Sequence, residues 1–160
     1  MSTSPSNLGL DRLLAFEADF ADRLPCIPMA VRRKLDLAGA KISLAQWSHL
    51  PLENRRALLL DPVLDETSAS LWKDFLDASL RSAGAESAKA LPIETLPAWA
   101  DVHQIPTDVG VQVEASGLTL SLSTWGSLDE LVRFALVKLS RPGHENRNFL
   151  PAACEAGLSR

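Results

Sequence analysis

The sequence predicts an all-α protein, one helical domain spanning residues 1–160, and three observations lead there. First, the chain carries an internal repeat: shifted by 78 residues, Ile105–Val137 lies on Ile27–Leu59 without a gap. Ile27-Pro28 meets Ile105-Pro106, Val31 meets Val109, Gly39 meets Gly117, and Ser43-Leu44 meets Ser121-Leu122. Trp47 meets Trp125, Leu50 meets Leu128, Arg55 meets Arg133, and Ala57-Leu58 meets Ala135-Leu136. Second, apolar residues recur at helical spacing in most segments, and no stretch alternates with a period of two for long. Third, proline, serine and glycine stand where helices start and stop. A repeated unit that cannot bury its apolar face alone packs against its copy, so two pseudo-symmetric multi-helix modules are expected.

Residues 1–7 read as a disordered arm. From Leu8 to Leu24, residues Leu10, Leu13, Leu14, Ala18 and Ala21 have the spacing of a short amphipathic helix. Pro25 and Pro28 force an extended approach to the first module, and Pro28 suits a helix start because its missing N–H is not needed there. Val31, Leu35 and Ala38 mark one apolar face, and Gly39 can end that helix in a left-handed conformation. Ser43 with Gln46 has capping-box spacing, and Pro51 opens a helix through Leu60. Leu64–Ala83 is a further helix bearing Leu71, Trp72, Phe75, Leu76 and Leu80. Ala85–Pro97 connects the modules.

The second module repeats the plan. Pro106 opens a helix carrying Val109 and Val113, Gly117 closes it, and Ser121 starts a short helix around Trp125. Ser127 with Glu130 is expected to form another capping box. The last helix has Leu128, Leu131, Val132, Ala135, Leu136 and Leu139 on one stripe. Val109–Val113 and Leu118–Leu122 look strand-like locally, but their repeat partners are helical, and the helical reading is kept.

At this length a single domain buries roughly 68–70% of its unfolded surface. The net charge of −4 and pI near 5.3 argue against nucleic acid or an anionic membrane as partner, since both attract a concentrated basic patch. No apolar run reaches the ~18 residues of a membrane span, and the first residues lack a signal pattern. A soluble, cytoplasmic protein is expected. In that reducing setting Cys26 and Cys154, which share no Cys-x-x-Cys spacing, read as small buried hydrophobes.

Catalytic chemistry finds little footing. The sequence has no glycine-rich phosphate loop, no His-Glu-x-x-His and no Gly-x-Ser-x-Gly, and His49, His103 and His144 are scattered. No catalytic residue, metal site or cofactor is therefore expected. Each module places an acid on its first helix and an arginine on its third, Asp36 with Arg55 and Glu114 with Arg133, which reads either as two partly buried interhelical ion pairs or as two solvated faces that agree. The polar run at Arg141, His144, Glu145, Asn146, Arg147 and Asn148, closed by Phe149, has two readings: a partner- or anion-binding loop, or a closing strap whose Phe149 fills the core. Trp47 and Trp125 recur and read as core. Trp72 and Trp99 have no copies, and of the two Trp99, beside the connector, is the better candidate for an exposed interface anchor, the other reading being a further core residue.

Phe16-Glu-Ala-Asp-Phe20, Cys26-Ile-Pro-Met29, Val31-Arg-x-Lys-Leu-Asp-Leu37 and the string from Lys138 through His144–Leu150 to Ala152 resemble the nitrate reductase-associated protein family. The resemblance covers roughly Phe16 to Ala153. It implies a non-enzymatic accessory or maturation role on assimilatory nitrate reductase, with that enzyme's catalytic subunit as partner, and it carries over no functional residue. The alternative is a small-ligand carrier that holds an anionic molecule, a molybdenum-cofactor pterin or nitrate, between the two modules on Arg55 and Arg133.

Overall fold

The computed structural model of the chain describes residues 10–142 and 147–160. They form two compact units. One joins the residues up to Leu13 to Glu17–Thr95, and the other joins Leu14–Phe16 to Leu96–Arg160. The protein is mostly helical, as the sequence predicts. The expected arm at residues 1–7 lies outside the described residues.

In the first unit, α1 (Met29–Ala38), α2 (Leu44–His49), α3 (Leu52–Leu60) and α4 (Glu66–Ser82) follow in order. Helix α1 packs on α3 and α4, and α3 packs on α4. Buried Val31, Leu35, Trp47, Leu58, Trp72, Leu76 and Leu80 make the core. The helix ends obey the sequence signals. Pro28 and Pro51 sit at N-caps with extended backbone, and Ser43 with Gln46 forms a complete capping box. Gly39 closes α1 at φ 68°, its N–H bonded to the Leu35 and Asp36 carbonyls. Since Pro28 has no capping side chain, buried Glu17 supplies one from outside: its carboxylate accepts the Met29 N–H at 2.9 Å, an acid at the positive end of the helix dipole.

The connector is not purely irregular. Lys89–Ala90 (β2) pairs antiparallel with Ala40–Lys41 (β1), with Ala40 opposite Ala90. The Leu91 N–H continues the ladder to the Gly39 carbonyl at 2.8 Å. The Gln46 side chain, beyond its capping role, donates to the Glu86 and Ser87 carbonyls. This two-stranded ribbon departs from the all-α expectation. It is too short to carry any period-two signal.

In the second unit, α5 (Thr107–Ala115) packs on α7 (Glu130–Ser140), which also packs on α8 (Phe149–Glu155). Between them lies the short α6 (Leu122–Ser127). Every residue from Leu131 to Val137 is buried, so α7 is the centre of this unit rather than a one-sided stripe. The strand-like Val109–Val113 belongs to α5, and Thr119 makes an isolated bridge with Ser159.

Three expectations need correction. The segment before Leu24 contains a short 3-10 helix, Ala15–Phe20, instead of an amphipathic α-helix. It buries Leu14, Glu17 and Leu24 and leaves Ala18 and Ala21 outside. Ser127 does not cap α7. It ends α6 and donates to the Thr124 carbonyl, while Asp129 caps α7 by accepting the Val132 N–H. Serine and aspartate are equally good N-caps and lie two residues apart here, and the chain uses the aspartate, whose place at a helix start its acidic pair with Glu130 also marks. Cys26 and Cys154 are free thiols on the surface, not buried hydrophobes.

Candidate partner-binding site

The C-terminal turn begins where α7 stops. Ser140 is buried, its hydroxyl donating to the Val137 carbonyl, and Arg141 follows in extended backbone before Pro142. His144, Glu145 and Asn146 lie outside the described residues. On the far side, exposed Arg147 and half-buried Asn148 lead into α8. Asn148 occupies the N-cap position but makes no side-chain capping bond.

Phe149 is 1% exposed, whereas the next residue, Leu150, is 48% exposed. Phe149, Ala152 and Ala153 face the interior and α8 packs on α7. Two tethers hold α8 and the tail behind it. The Glu155 carboxylate accepts the Ala15 N–H, and Thr119 donates both its N–H (2.9 Å) and its hydroxyl (3.0 Å) to the Ser159 carbonyl. Arg141 is thus exposed just past the end of α7, and Arg147 and Leu150 are exposed at the start of the seated α8. That arrangement can present cationic forks and one apolar side chain to a partner.

Trp99 is not an exposed anchor. It is 3% exposed and meets Phe134 edge-on, with centroids 5.4 Å apart and rings at 76°, a favoured aromatic geometry. Proline flanks suggested a surface segment, but the large ring finds α7 beneath it.

The two repeat-related arginines also depart from expectation. Arg55 donates through Nε to the Leu50 carbonyl at 3.1 Å and through Nη1 to the Arg23 and Leu24 carbonyls at 2.7 and 3.1 Å. Arg133, 7% exposed, donates through Nε to the Trp99 carbonyl at 2.9 Å and through Nη1 to the Leu128 carbonyl. Both guanidinium groups serve main-chain oxygens and not the Asp36 and Glu114 carboxylates. A carboxylate has to lie within reach, whereas the carbonyls of an irregular lead-in segment are orphans that need a donor in any case. The carrier reading needed both arginines as anion ligands, and these contacts count against it. The tryptophans act alongside: Trp47 Nε1 donates to the Leu24 carbonyl and Trp125 Nε1 to the Asp101 carbonyl, each at 2.8 Å.

One buried cation had no sequence signal that set it apart. Lys34, on α1, has no exposed side-chain surface. Its Nζ donates to the Leu59 and Asp61 carbonyls at 2.6 Å each and to Leu58 at 3.3 Å, and pairs with Asp11 at 2.8 Å. These are orphan carbonyls at the end of α3, and Trp72 Nε1 also donates to Leu58 at 3.0 Å. Burial lowers the Lys34 pKa from its usual 10.5, opposed chiefly by Asp11. Among the described residues no group of three or more His, Cys, Asp or Glu side chains is placed to hold a metal ion, and no helix is long and apolar enough to cross a membrane.

The family model of the conserved nitrate reductase-associated proteins matches residues 13–156. The chain belongs to that family. No match to a curated protein or to a solved structure was found.

Proposed function

We propose that this member of the nitrate reductase-associated family is a non-enzymatic accessory protein that binds the catalytic subunit of assimilatory nitrate reductase in the cytoplasm and assists its maturation. The family match over residues 13–156 carries the reading. Its contact surface includes exposed Arg141 after α7 and exposed Arg147 and Leu150 at the start of α8, a helix that buried Phe149 fixes in place.

We also infer that the chain is a duplicated module. Helices α1 and α5 start 78 residues apart, at Met29 and Thr107; so do α2 and α6, at Leu44 and Leu122, and α3 and α7, at Leu52 and Glu130. Arg55 and Arg133 each reach the carbonyl of the leucine five residues earlier, and Trp47 and Trp125 each reach back into the lead-in segment. Hydrogen bonds at matching positions support descent from one ancestral unit.

The test is co-expression with the catalytic subunit and isolation through a tag on either partner. Co-purification is expected, and Arg147→Glu and Leu150→Glu should abolish it while the variants melt as the wild type does. Undiminished co-purification in both variants would remove the turn from the interface. Neither co-purification nor any dependence of nitrate reductase activity on the protein would overturn the accessory reading itself.

A further inference from the structure

The last turn of α3 ends in a cluster of acceptors built around a cation. The Leu58, Leu59 and Asp61 carbonyls converge on Lys34 Nζ at 3.3, 2.6 and 2.6 Å, and the Asp11 carboxylate, 16% exposed, closes the cluster at 2.8 Å. The negative end of the helix dipole lies at the same place. The frame has supports other than Lys34. The Asp61 N–H, at the C-cap, bonds to the Ala57 carbonyl at 2.8 Å, and Trp72 Nε1 holds the Leu58 carbonyl at 3.0 Å. Helix α3 is also packed on both α1 and α4.

Chemistry selects the occupant. The carbonyls and the carboxylate around Nζ all accept, so whatever fills the space has to donate and to carry positive charge. With Leu58 already served by Trp72, the Leu59, Asp61 and Asp11 oxygens remain, three acceptors for the three N–H groups of an ammonium. A neutral amine has only two, and one acceptor would go without. Burial works against the charge most and Arg33 adds to that, while Asp11 and Asp61 favour it. Asp11 lies in the irregular residues 10–14, so the ammonium that serves α3 also fastens that stretch. We propose that the end of α3 is a receptor for a primary alkylammonium group, filled in the native chain by Lys34, and that only the filled receptor docks the N-terminal stretch through Asp11. No residue of the C-terminal turn takes part, so this reading and the partner-binding one stand or fall separately.

The experiment is chemical rescue of the full chain. Lys34→Ala leaves a space that n-propylammonium matches atom for atom, from Cγ to Nζ. At about 0.1 M, n-propylammonium should shift the unfolding equilibrium of this variant about tenfold toward the folded state beyond the effect of equal sodium chloride. Backbone order at residues 11–13, read from heteronuclear NOEs, should return with it. Tetramethylammonium, which has no N–H, and n-propanol, which has no charge, should do neither. Lys34→Met, whose side chain fills the space, should not respond. Asp11→Asn on the Lys34→Ala background should weaken the rescue by about tenfold. If Lys34→Ala does not fold even with n-propylammonium, the wild type decides: the nitrogen-15 resonance of Lys34 Nζ should be that of an ammonium whose protons exchange slowly at neutral pH. A folded Lys34→Ala that n-propylammonium leaves unchanged, or equal rescue by n-propanol or tetramethylammonium, would overturn the proposal. So would stability regained without order at residues 11–13, rescue indifferent to Asp11→Asn, or a Lys34 amine exchanging as fast as the exposed lysines.

Discussion

Arg133 donates a hydrogen bond from Nε to the main-chain carbonyl of buried Trp99 at 2.9 Å, tying the lead-in segment of the second unit to its central helix. The same side chain also serves the Leu128 carbonyl. Removing it strands two acceptors, one of them buried, and costs far more than the bonds themselves contribute.

Arg133→Met should therefore destabilise the protein by about 2–4 kcal/mol, read from urea midpoints. Glu114→Ala on that background should add no coupling beyond about 0.3 kcal/mol, because exposed Glu114 does not share the network. A larger coupling would restore the ion pair as the operative contact. Arg55→Met, in a less buried setting, should cost less than Arg133→Met.

Lys34→Met leaves three α3-end carbonyls and Asp11 without their cation, and a loss of about 3 kcal/mol is expected. The pH dependence has an unusual sign for a lysine with a carboxylate partner. Because burial holds the folded pKa below 10.5, the unfolded chain binds more protons between the folded value and 10.5. Stability contributed by this group therefore rises with pH across that window and is smallest below it. Urea midpoints of wild type and Lys34→Met, measured up to about pH 10.5, should show the wild type gaining relative to the variant. A parallel pair of curves would exclude the lowered pKa.

Gly39 and Gly117 occupy matching places and share nearly the same backbone, φ 68° and 71°, yet they should respond differently to alanine. A Cβ at Gly39 meets both Ile93 Cγ1 and the Leu91 carbonyl oxygen at 2.8 Å, while one at Gly117 meets nothing within 4 Å. Gly117→Ala bears only the left-handed strain, about 1 kcal/mol. Gly39→Ala should lose more, about 2–3 kcal/mol, since the connector has to move as well. Equal losses would mean that the connector yields freely.

Asp65 caps α4 by accepting the Ser68 N–H, and this bond with the Ser68 hydroxyl lowers its pKa below 3.8. A depressed carboxylate pKa gives stability that is present above 3.8 and lost as pH falls through the folded value. Asp65→Ala should lower the melting temperature at neutral pH, and the gap to wild type should narrow in acid. A gap that stays constant to about pH 2 would show that the carboxylate charge is irrelevant to the cap.

Phe149→Ala should cost about 3–5 kcal/mol, as for other buried aromatic truncations. Thermal melts that left it intact would contradict the seating of α8. Arg147 and Leu150 are therefore the cleaner probes of partner binding.

Local signals were legible where one residue type has one reason to be present. Pro28, Pro51 and Pro106 marked helix starts, Gly39 and Gly117 marked ends, and Ser43 with Gln46 announced its capping box. Each is a short-range matter of φ, ψ and one hydrogen bond. The helix over residues 66–82 was visible from its buried Trp72, Leu76 and Leu80, although Leu71 (65% exposed) and Phe75 (38%) stay outside. Periodicity shows which residues are apolar. It cannot show which flank of the helix will be covered.

What the sequence determined alone is the helical character, the places where helices begin and end, the turn chemistry and the family. All of these rest on contacts within a few residues, or on strings long enough to be distinctive. Tertiary structure decided everything that depends on which distant backbone atoms lack a partner. The lead-in carbonyls at Arg23, Leu24 and Trp99 claimed Arg55 and Arg133, the end of α3 claimed Lys34, and the start of α1 claimed Glu17. Proline flanks could not foretell that Trp99 would be covered by Phe134. A buried polar group has to be satisfied by whatever donor or acceptor the fold brings near, and that choice is made in space, not along the chain.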